Sequence, residues 1–187
     1  MCAYSLSFGS PASYQVTGDP RELWPREGDF HRWLIASPAM LAECLGVPGL
    51  EFTGREVTIG EQVAGFDSLG RRRWDGGLRV DLIARDAHGR PVVIEAQLGA
   101  ADHDHLGKLV SYASDVQAAV AVRAVAAPEP PFLREHLATL ADLNEAYAGR
   151  RRFSAVTVTL ESDPSPFPPA PGEPLLPRMR QAGLPPP

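Results

Sequence analysis

Two acidic residues, Asp81 and Glu95, each lie within a run of apolar residues that suits a β-strand. Ala87-His88-Gly89 separates the two runs and has its glycine where a three-residue hairpin loop needs a left-handed residue. If that loop is centred on His88, the pairing count places Asp81 opposite Glu95, with Cβ atoms about 5 Å apart. The spacing therefore predicts two carboxylates in one site, unless a bulge at Gly89 shifts the register by one residue.

Two carboxylates among apolar side chains favour a small set of chemistries. Burying a carboxylate is unfavourable unless it is paired or coordinates a cation. Oxygen-only ligands with room for water favour Mg²⁺ or Mn²⁺ over zinc, and such an ion activates water and neutralises a phosphodiester. On spacing alone one alternative remains open: Asp81 and Glu95 instead pair with arginines such as Arg79 or Arg85.

Three further polar residues are placed to join this pair. Gln97 lies two residues beyond Glu95 and therefore on the same face of the strand. Lys108 and Tyr112 are four residues apart on the next predicted helix, so their side chains share a face. Lys108 is also the chain's single lysine.

The run Asp102-His103-Asp104-His105 lies between them. Four consecutive residues at a helix start cannot all face one ion, and no further His or Cys cluster completes a zinc site. We expect Asp102 to cap the helix, with His103 or His105 lining a substrate groove. His31 and His136 are expected to be structural.

The elements that must position these residues follow from periodicity and turn signals. Helices are predicted at about 29–35, 37–45, 102–116 and 132–147, and strands at about 51–59, 78–86, 91–98, 118–126 and 152–160. The order α-β-β-β-α-β-α-β favours an α/β fold with a mixed central sheet flanked by helices over a doubly wound nucleotide-binding fold.

The chain is predicted to form one domain over residues 29–160, with a polar insertion near 61–77, after an irregular lead-in at 1–28. Ten of its 19 prolines lie in the last 27 residues. We therefore expect 161–187 to be an extended, proline-rich tail that cannot continue a sheet and is dispensable for the core.

Charge and hydropathy limit the partners. The net charge of −5 argues mildly against a broad electrostatic grip on nucleic acid, although local clusters matter more than the sum. Two such clusters, Arg71–Arg73 and Arg150–Arg152, are either local contacts for nucleic acid or simply solvated. No apolar run approaches the roughly 18–20 residues of a membrane span, and residues 1–14 lack the pattern of a secretory signal. A cytoplasmic location without membrane contact is expected.

The run VDLIARDAHGRPVVIEAQ, residues 80–97, resembles the D-x(n)-(E/D)-x-K signature of the PD-(D/E)XK nuclease superfamily. Together with DHDHLGKLVSYAS, residues 102–114, it resembles an uncharacterised bacterial group of that superfamily that carries a DHDHLG motif. The resemblance covers about residues 29–160. It implies a PD-(D/E)XK nuclease-like core and a Mg²⁺- or Mn²⁺-dependent activity on DNA or RNA.

The resemblance also implies roles for particular residues. Asp81 and Glu95 would be metal ligands, joined by an upstream acid, for which Glu56 is the first choice and Glu43 the second. Gln97 stands where lysine is usual, and a glutamine side chain carries no positive charge. Related nucleases often carry a Q-x-x-x-Y pair on the next helix, and Lys108 replaces that glutamine, four residues before Tyr112. Lys108 is therefore predicted either to stand in for the missing lysine or to be an ordinary exposed helix residue.

The function predicted from the sequence is a metal-dependent phosphodiesterase acting on DNA or RNA, with nucleic acid as its partner and a homodimer left open. Asp81, Glu95, Gln97 and Lys108 would be catalytic, and His103, His105 and Tyr112 would contact the substrate. Two alternatives remain: a non-catalytic module on the same fold that binds nucleic acid or a protein, and an enzyme of another reaction class that reuses the carboxylates.

Overall fold

The structure is a computed structural model that describes residues 16–59, 64–66, 72–74, 78–128, 130–163, 170 and 172–184. For 64–66 and 72–74 it describes the backbone. The first 15 residues of the expected lead-in, and the side chains of Arg71–Arg73, lie outside this description.

The described helices agree with the predicted ones to within about two residues at each end. They are α1 Glu27–Ala36, α2 Pro38–Leu45, α3 His103–Asp115 and α4 Arg134–Ala146, with a short 3₁₀ turn at Pro20–Glu22. The strands are β1 Thr17–Gly18, β2 Glu51–Ile59, β3 Ala64–Phe66, β4 Arg72–Trp74, β5 Leu78–Arg85, β6 Pro91–Leu98, β7 Val120–Ala126, β8 Arg152–Glu161 and β9 Leu176–Gln181.

Seven of the described strands form one mixed sheet. Its order is β1-β8-β7-β6-β5-β2, and β9 pairs with β8 off this path. The central strands β6, β7 and β8 are parallel, whereas β5 runs antiparallel to both of its neighbours, β2 and β6. Within the insertion, β3 and β4 form a separate two-stranded ribbon. The predicted α/β architecture, a mixed central sheet flanked by helices, is confirmed.

The helices cover both faces of the sheet because each has an apolar stripe. On one face, α1 and α2 bury Phe30, Leu34 and Leu41 against β5 to β8. On the other face, α3 and α4 bury Leu109 and Leu140. The strand β7 is buried along its whole length, as expected for a central parallel strand.

The expectation that residues 161–187 cannot continue a sheet was wrong. The strand β9 lies within this segment and pairs antiparallel with β8 over Val156–Glu161. Its proline, Pro177, is accommodated because β9 is an edge strand, where a missing N–H breaks no second ladder. The Arg180 guanidinium pairs with the carboxylate of Glu161, which is buried.

The lead-in also contributes to the sheet, contrary to expectation. Thr17 and Gly18 pair with Glu161 and Leu160, and Trp24 packs into the core beside Phe30. No helix in the described part of the chain is both long and apolar enough to cross a membrane.

Candidate active site

The tight turn between β5 and β6 fixes how these two strands pair. Gly89 has φ 74°, in the left-handed region that a glycine adopts without strain. The Asp86 carboxylate accepts hydrogen bonds from the backbone N–H groups of His88 and Arg90, both at 2.9 Å. Arg90 also donates to it through its side-chain Nε at 2.7 Å. The three-residue loop predicted from the sequence is therefore present.

The backbone pairing follows the predicted register and stops one step before the two carboxylates. Leu82 pairs with Ile94, so Asp81 and Glu95 are next in line. At that step the Asp81 Oδ2 atom accepts the backbone N–H of Ala96 at 2.9 Å. The side chain of Asp81 thus takes the place of a backbone acceptor on β5, and the two carboxylates lie where β5 and β6 stop pairing.

Glu95 is the buried member of this pair. Its residue is 1% exposed, and its Oε2 atom has no hydrogen-bond partner among the described residues. Burial, and then the negative charge of Asp81, raise the pKa of Glu95 to about 8, while Arg123 and Lys108 act in the opposite direction. In neutral solution this carboxyl therefore holds a proton unless a cation neutralises it.

The alternative in which arginines neutralise the two carboxylates was wrong for the arginines considered. Arg79 pairs with Glu56, and Arg85 donates to the carbonyl of Gly89 at 2.7 Å. Neither reaches Asp81 or Glu95.

An open cavity of about 490 Å³ lies over the carboxylate pair. It brings together most of the residues singled out from the sequence: Glu56, Asp81, Glu95, His105, Lys108 and Tyr112. It also exposes residues to which the sequence gave no such role, among them Glu27, His31 and Arg79.

Glu56 lies at the cavity but is committed to a different partner. Its backbone has φ 53°, uncommon for a residue with a side chain. A hydrogen bond from Arg79, and then the charge of that guanidinium, lower the pKa of Glu56. Glu43, the second choice for an upstream acid, lines a separate pocket with Cys44 and Met179. In the described part of the chain no three His, Cys, Asp or Glu side chains are grouped closely enough to hold a metal ion.

Gln97, the residue at the usual lysine position, is held within a hydrogen-bonded chain and does not line the cavity. Its Nε2 donates to Asp102 Oδ2 at 2.9 Å, and its Oε1 accepts from Arg123. Arg123 is 2% exposed and also donates to the Glu95 carbonyl at 3.2 Å. A buried cation therefore lies directly behind Gln97 and Glu95.

The same chain continues to His105. Asp102 caps α3 as predicted, because its Oδ1 accepts the His105 backbone N–H at 3.0 Å. That oxygen also lies 2.6 Å from His105 Nδ1, which must carry the hydrogen because a carboxylate only accepts. The opposite ring atom, Nε2, lies 4.0 Å from Glu95 Oε1. Asp102 thus orients the His105 ring toward the carboxylates.

Lys108 and Tyr112 both line the cavity, as their four-residue spacing predicted. Lys108 is exposed. Tyr112 is buried, and its hydroxyl donates to the Arg79 carbonyl at 2.6 Å. Burial, followed by the negative charges of Glu95 and Asp81, raises the pKa of Tyr112, which keeps it a neutral donor. His103 does not line this cavity. Its Nδ1 lies 3.0 Å from Nε2 of His136 instead.

Sequence reasoning missed two residues on α1 at the cavity. The His31 Nε2 atom lies 3.3 Å from the Ala96 carbonyl and 4.0 Å from Asp81 Oδ2. Glu27 accepts the backbone N–H of Leu98 at 3.3 Å. Glu27 was missed because the helix was predicted to begin at Asp29. A signal was available: an acidic residue four before a histidine, on one helical face.

No family model matches the chain, and no curated protein sequence matches it. Two solved structures are similar to it in part. A repair endonuclease from Pyrococcus abyssi is 13% identical with a TM-score of 0.45, over 80% of this chain and 63% of that one. An EndoMS–dsDNA complex is 15% identical with a TM-score of 0.43, over 82% of this chain and 64% of that one. The chain thus spans a little under two thirds of the length of either.

Proposed function

We propose that this chain is a divalent-metal-dependent phosphodiesterase of the PD-(D/E)XK type that cleaves DNA or RNA. The observation that carries the proposal is Glu95: a buried carboxyl with one oxygen unpartnered among the described residues, beside a second carboxylate and under an open cavity. The ionised form of such a group is unfavourable in a fold unless a cation occupies the space next to it.

The donor set fits Mg²⁺ or Mn²⁺. Asp81 and Glu95 would supply two oxygen ligands, and such ions commonly use one or two carboxylates together with water and substrate phosphate oxygens. The ion would supply polarisation of the phosphorus–oxygen bonds and activation of a water molecule. Glu56 would join this set only after releasing Arg79, so it is the weakest of the three ligand candidates.

The remaining residues at the cavity would bind and orient the substrate. Lys108 would place its ammonium group near a phosphate oxygen and stabilise charge that develops there. His105, held by Asp102, would contact the substrate or the attacking water through Nε2. Tyr112 would position the Arg79 backbone, since its hydroxyl is already engaged there.

Gln97 would act as a positioning residue and not as a cation. It links Arg123 to Asp102 and so connects β6, β7 and the first turn of α3. The positive charge that a motif lysine would bring is divided here between Arg123 behind the carboxylates and Lys108 in front of them. The catalytic unit would comprise residues 29–160 together with Glu27 at the cavity and the strands β1 and β9 that pair with β8.

One observation favours a second candidate, a nucleic-acid-binding module without catalysis. Gln97 is held away from the cavity and Glu56 is occupied by Arg79, so two of the expected site residues are committed elsewhere. This candidate keeps the fold and the groove but predicts neither metal binding nor cleavage.

The test is incubation of the purified protein with single- and double-stranded DNA and RNA, with Mg²⁺ or Mn²⁺ against EDTA. Metal-dependent cleavage that disappears in Asp81→Asn but persists in Asp115→Asn, an exposed aspartate on α3, supports the proposal. Binding without cleavage under every condition would favour the second candidate.

A further inference from the structure

A second pocket lies at the other end of the sheet from the carboxylates. It has a volume of about 300 Å³ and is bounded by the turn after α2, the β5–β6 loop, the start of β7 and the loop from α4 into β8. Arg90 belongs to this pocket and Glu95 to the first. Glu95 is five residue steps along the chain from Arg90, which corresponds to about 16 Å of extended strand, so the two pockets are distinct.

Four arginines converge on this pocket: Arg90, Arg150, Arg151 and Arg152. Arg90 is paired with Asp86. Among the described residues no carboxylate pairs with Arg150, Arg151 or Arg152. Asp86 also lines the pocket, but its carboxylate is paired with Arg90. The other three arginines therefore line one concave space without a paired carboxylate of their own, in a chain whose net charge is −5.

These arginines are held in place by backbone carbonyls and an aromatic ring. Arg151 Nε donates to the Ala118 carbonyl at 2.9 Å, and Arg152 Nη2 donates to the Leu45 carbonyl at 2.7 Å. The guanidinium groups of Arg150 and Arg151 both lie 5.2 Å from the centre of the Tyr147 ring. Each bond to a carbonyl uses one donor of a guanidinium that has five, so the others remain for a ligand.

We propose that this pocket binds a phosphate group, and that its natural source is the backbone of a nucleic acid. Fixed guanidinium groups match the oxygens of a phosphate in geometry and charge. The pocket is open at the end of the sheet, which lets a chain of nucleotides pass across it. The site does not rest on the proposed function, since neither Asp81 nor Glu95 takes part in it.

The test is binding measured by fluorescence anisotropy with EDTA present, so that no cleavage intervenes. The probes are a labelled 12-nucleotide single-stranded DNA and, as competitors, AMP and inorganic phosphate. The double variant Arg150→Gln/Arg151→Gln should bind the DNA at least about tenfold more weakly. For this variant, the slope of log affinity against log salt concentration should be smaller in magnitude by about 1.4. That is the value for two lost phosphate contacts on a single strand.

The matched control removes the same charge elsewhere. Arg134 and Arg178 lie outside the pocket, and Arg134→Gln/Arg178→Gln should keep the parental affinity within about twofold, as expected for arginines that contact no phosphate. If the double variant has a lowered melting temperature, Arg150→Gln alone provides a milder change. The one side-chain hydrogen bond described for Arg150 goes to the carbonyl of Ala146, only four residues earlier in the chain.

The outcomes separate the sources of the phosphate. In one outcome, AMP or phosphate displaces the DNA at low millimolar concentration, while the arginine variant binds neither the DNA nor the small phosphate. That result would support a phosphate site in the pocket but assign it to small phosphate compounds. Equal binding by the arginine variant and the control would overturn the proposal, as would a parent that binds none of the probes.

Discussion

Replacing Glu95 by glutamine is expected to stabilise the metal-free protein at neutral pH. The pKa of Glu95 is raised from 4.5 to about 8, by burial first and by Asp81 second. Because the folded-state pKa is the higher one, stability that depends on this group is complete below about pH 4.5 and is lost progressively up to about pH 8. At pH 7 the difference covers about 2.5 pH units, or about 3 kcal/mol at 1.36 kcal/mol per unit.

Urea denaturation of the parent and of Glu95→Gln, both in EDTA, measures this difference. The gain should be under about 1 kcal/mol at pH 5 and about 3 kcal/mol at pH 7. Glu145→Gln, which changes an exposed glutamate on α4, serves as the control and should shift neither value. A gain that is the same at both pH values, or a loss of stability at pH 7, would show that the carboxyl of Glu95 is not a buried, proton-binding group.

Three further changes follow from the contacts. Truncation after Asp163 removes β9 and should lower stability by at least about 2 kcal/mol, because β8 loses its backbone pairing with β9 and the Glu161 carboxylate loses Arg180. An unchanged melting temperature would show that β9 does not pack on the core. Asp86→Ala should cost about 2–3 kcal/mol in urea denaturation because it removes three acceptor contacts in the hairpin loop, and a cost below about 0.5 kcal/mol would contradict this. Lys108→Ala should lower single-turnover cleavage by about 10²–10³ while sparing metal affinity, and cleavage at the parental rate would exclude a catalytic role.

The carboxylate pair could be predicted because its geometry is local. The loop centred on His88 determines the pairing of β5 with β6, and a glycine at the left-handed position makes that loop recognisable in the sequence. Once the loop is known, counting along both strands brings Asp81 to Glu95. Helix α3 was predictable for the same reason, since its cap and its apolar stripe are both encoded within a few residues.

The partners of the pair could not be predicted because they come from distant segments. Arg123 is one polar residue within an apolar strand, and only the pairing of β7 with β6 brings it to Glu95. The interaction of Gln97 with Arg123 and Asp102 likewise depends on packing, so the residue at the lysine position could be identified but not its contacts.

The strand β9 was missed because proline content was taken as evidence against any strand. Pro177 does exclude an interior position, but an edge strand has one side without a neighbour. The arginines that alternate on β9, Arg178 and Arg180, pair with Asp163 and Glu161. That pattern was present in the sequence, but it becomes informative only when the partner strand is known.

The proposed chemistry depends on Asp81 and Glu95 together binding one divalent metal ion. Titration calorimetry with Mn²⁺ tests it most directly, on the parent, Asp81→Asn, Glu95→Gln and the exposed-site controls Asp115→Asn and Glu145→Gln. We expect one Mn²⁺ bound per chain in the parent and both controls, and none in Asp81→Asn or Glu95→Gln. Unchanged Mn²⁺ affinity in Asp81→Asn and Glu95→Gln, or no binding by the parent, would contradict it.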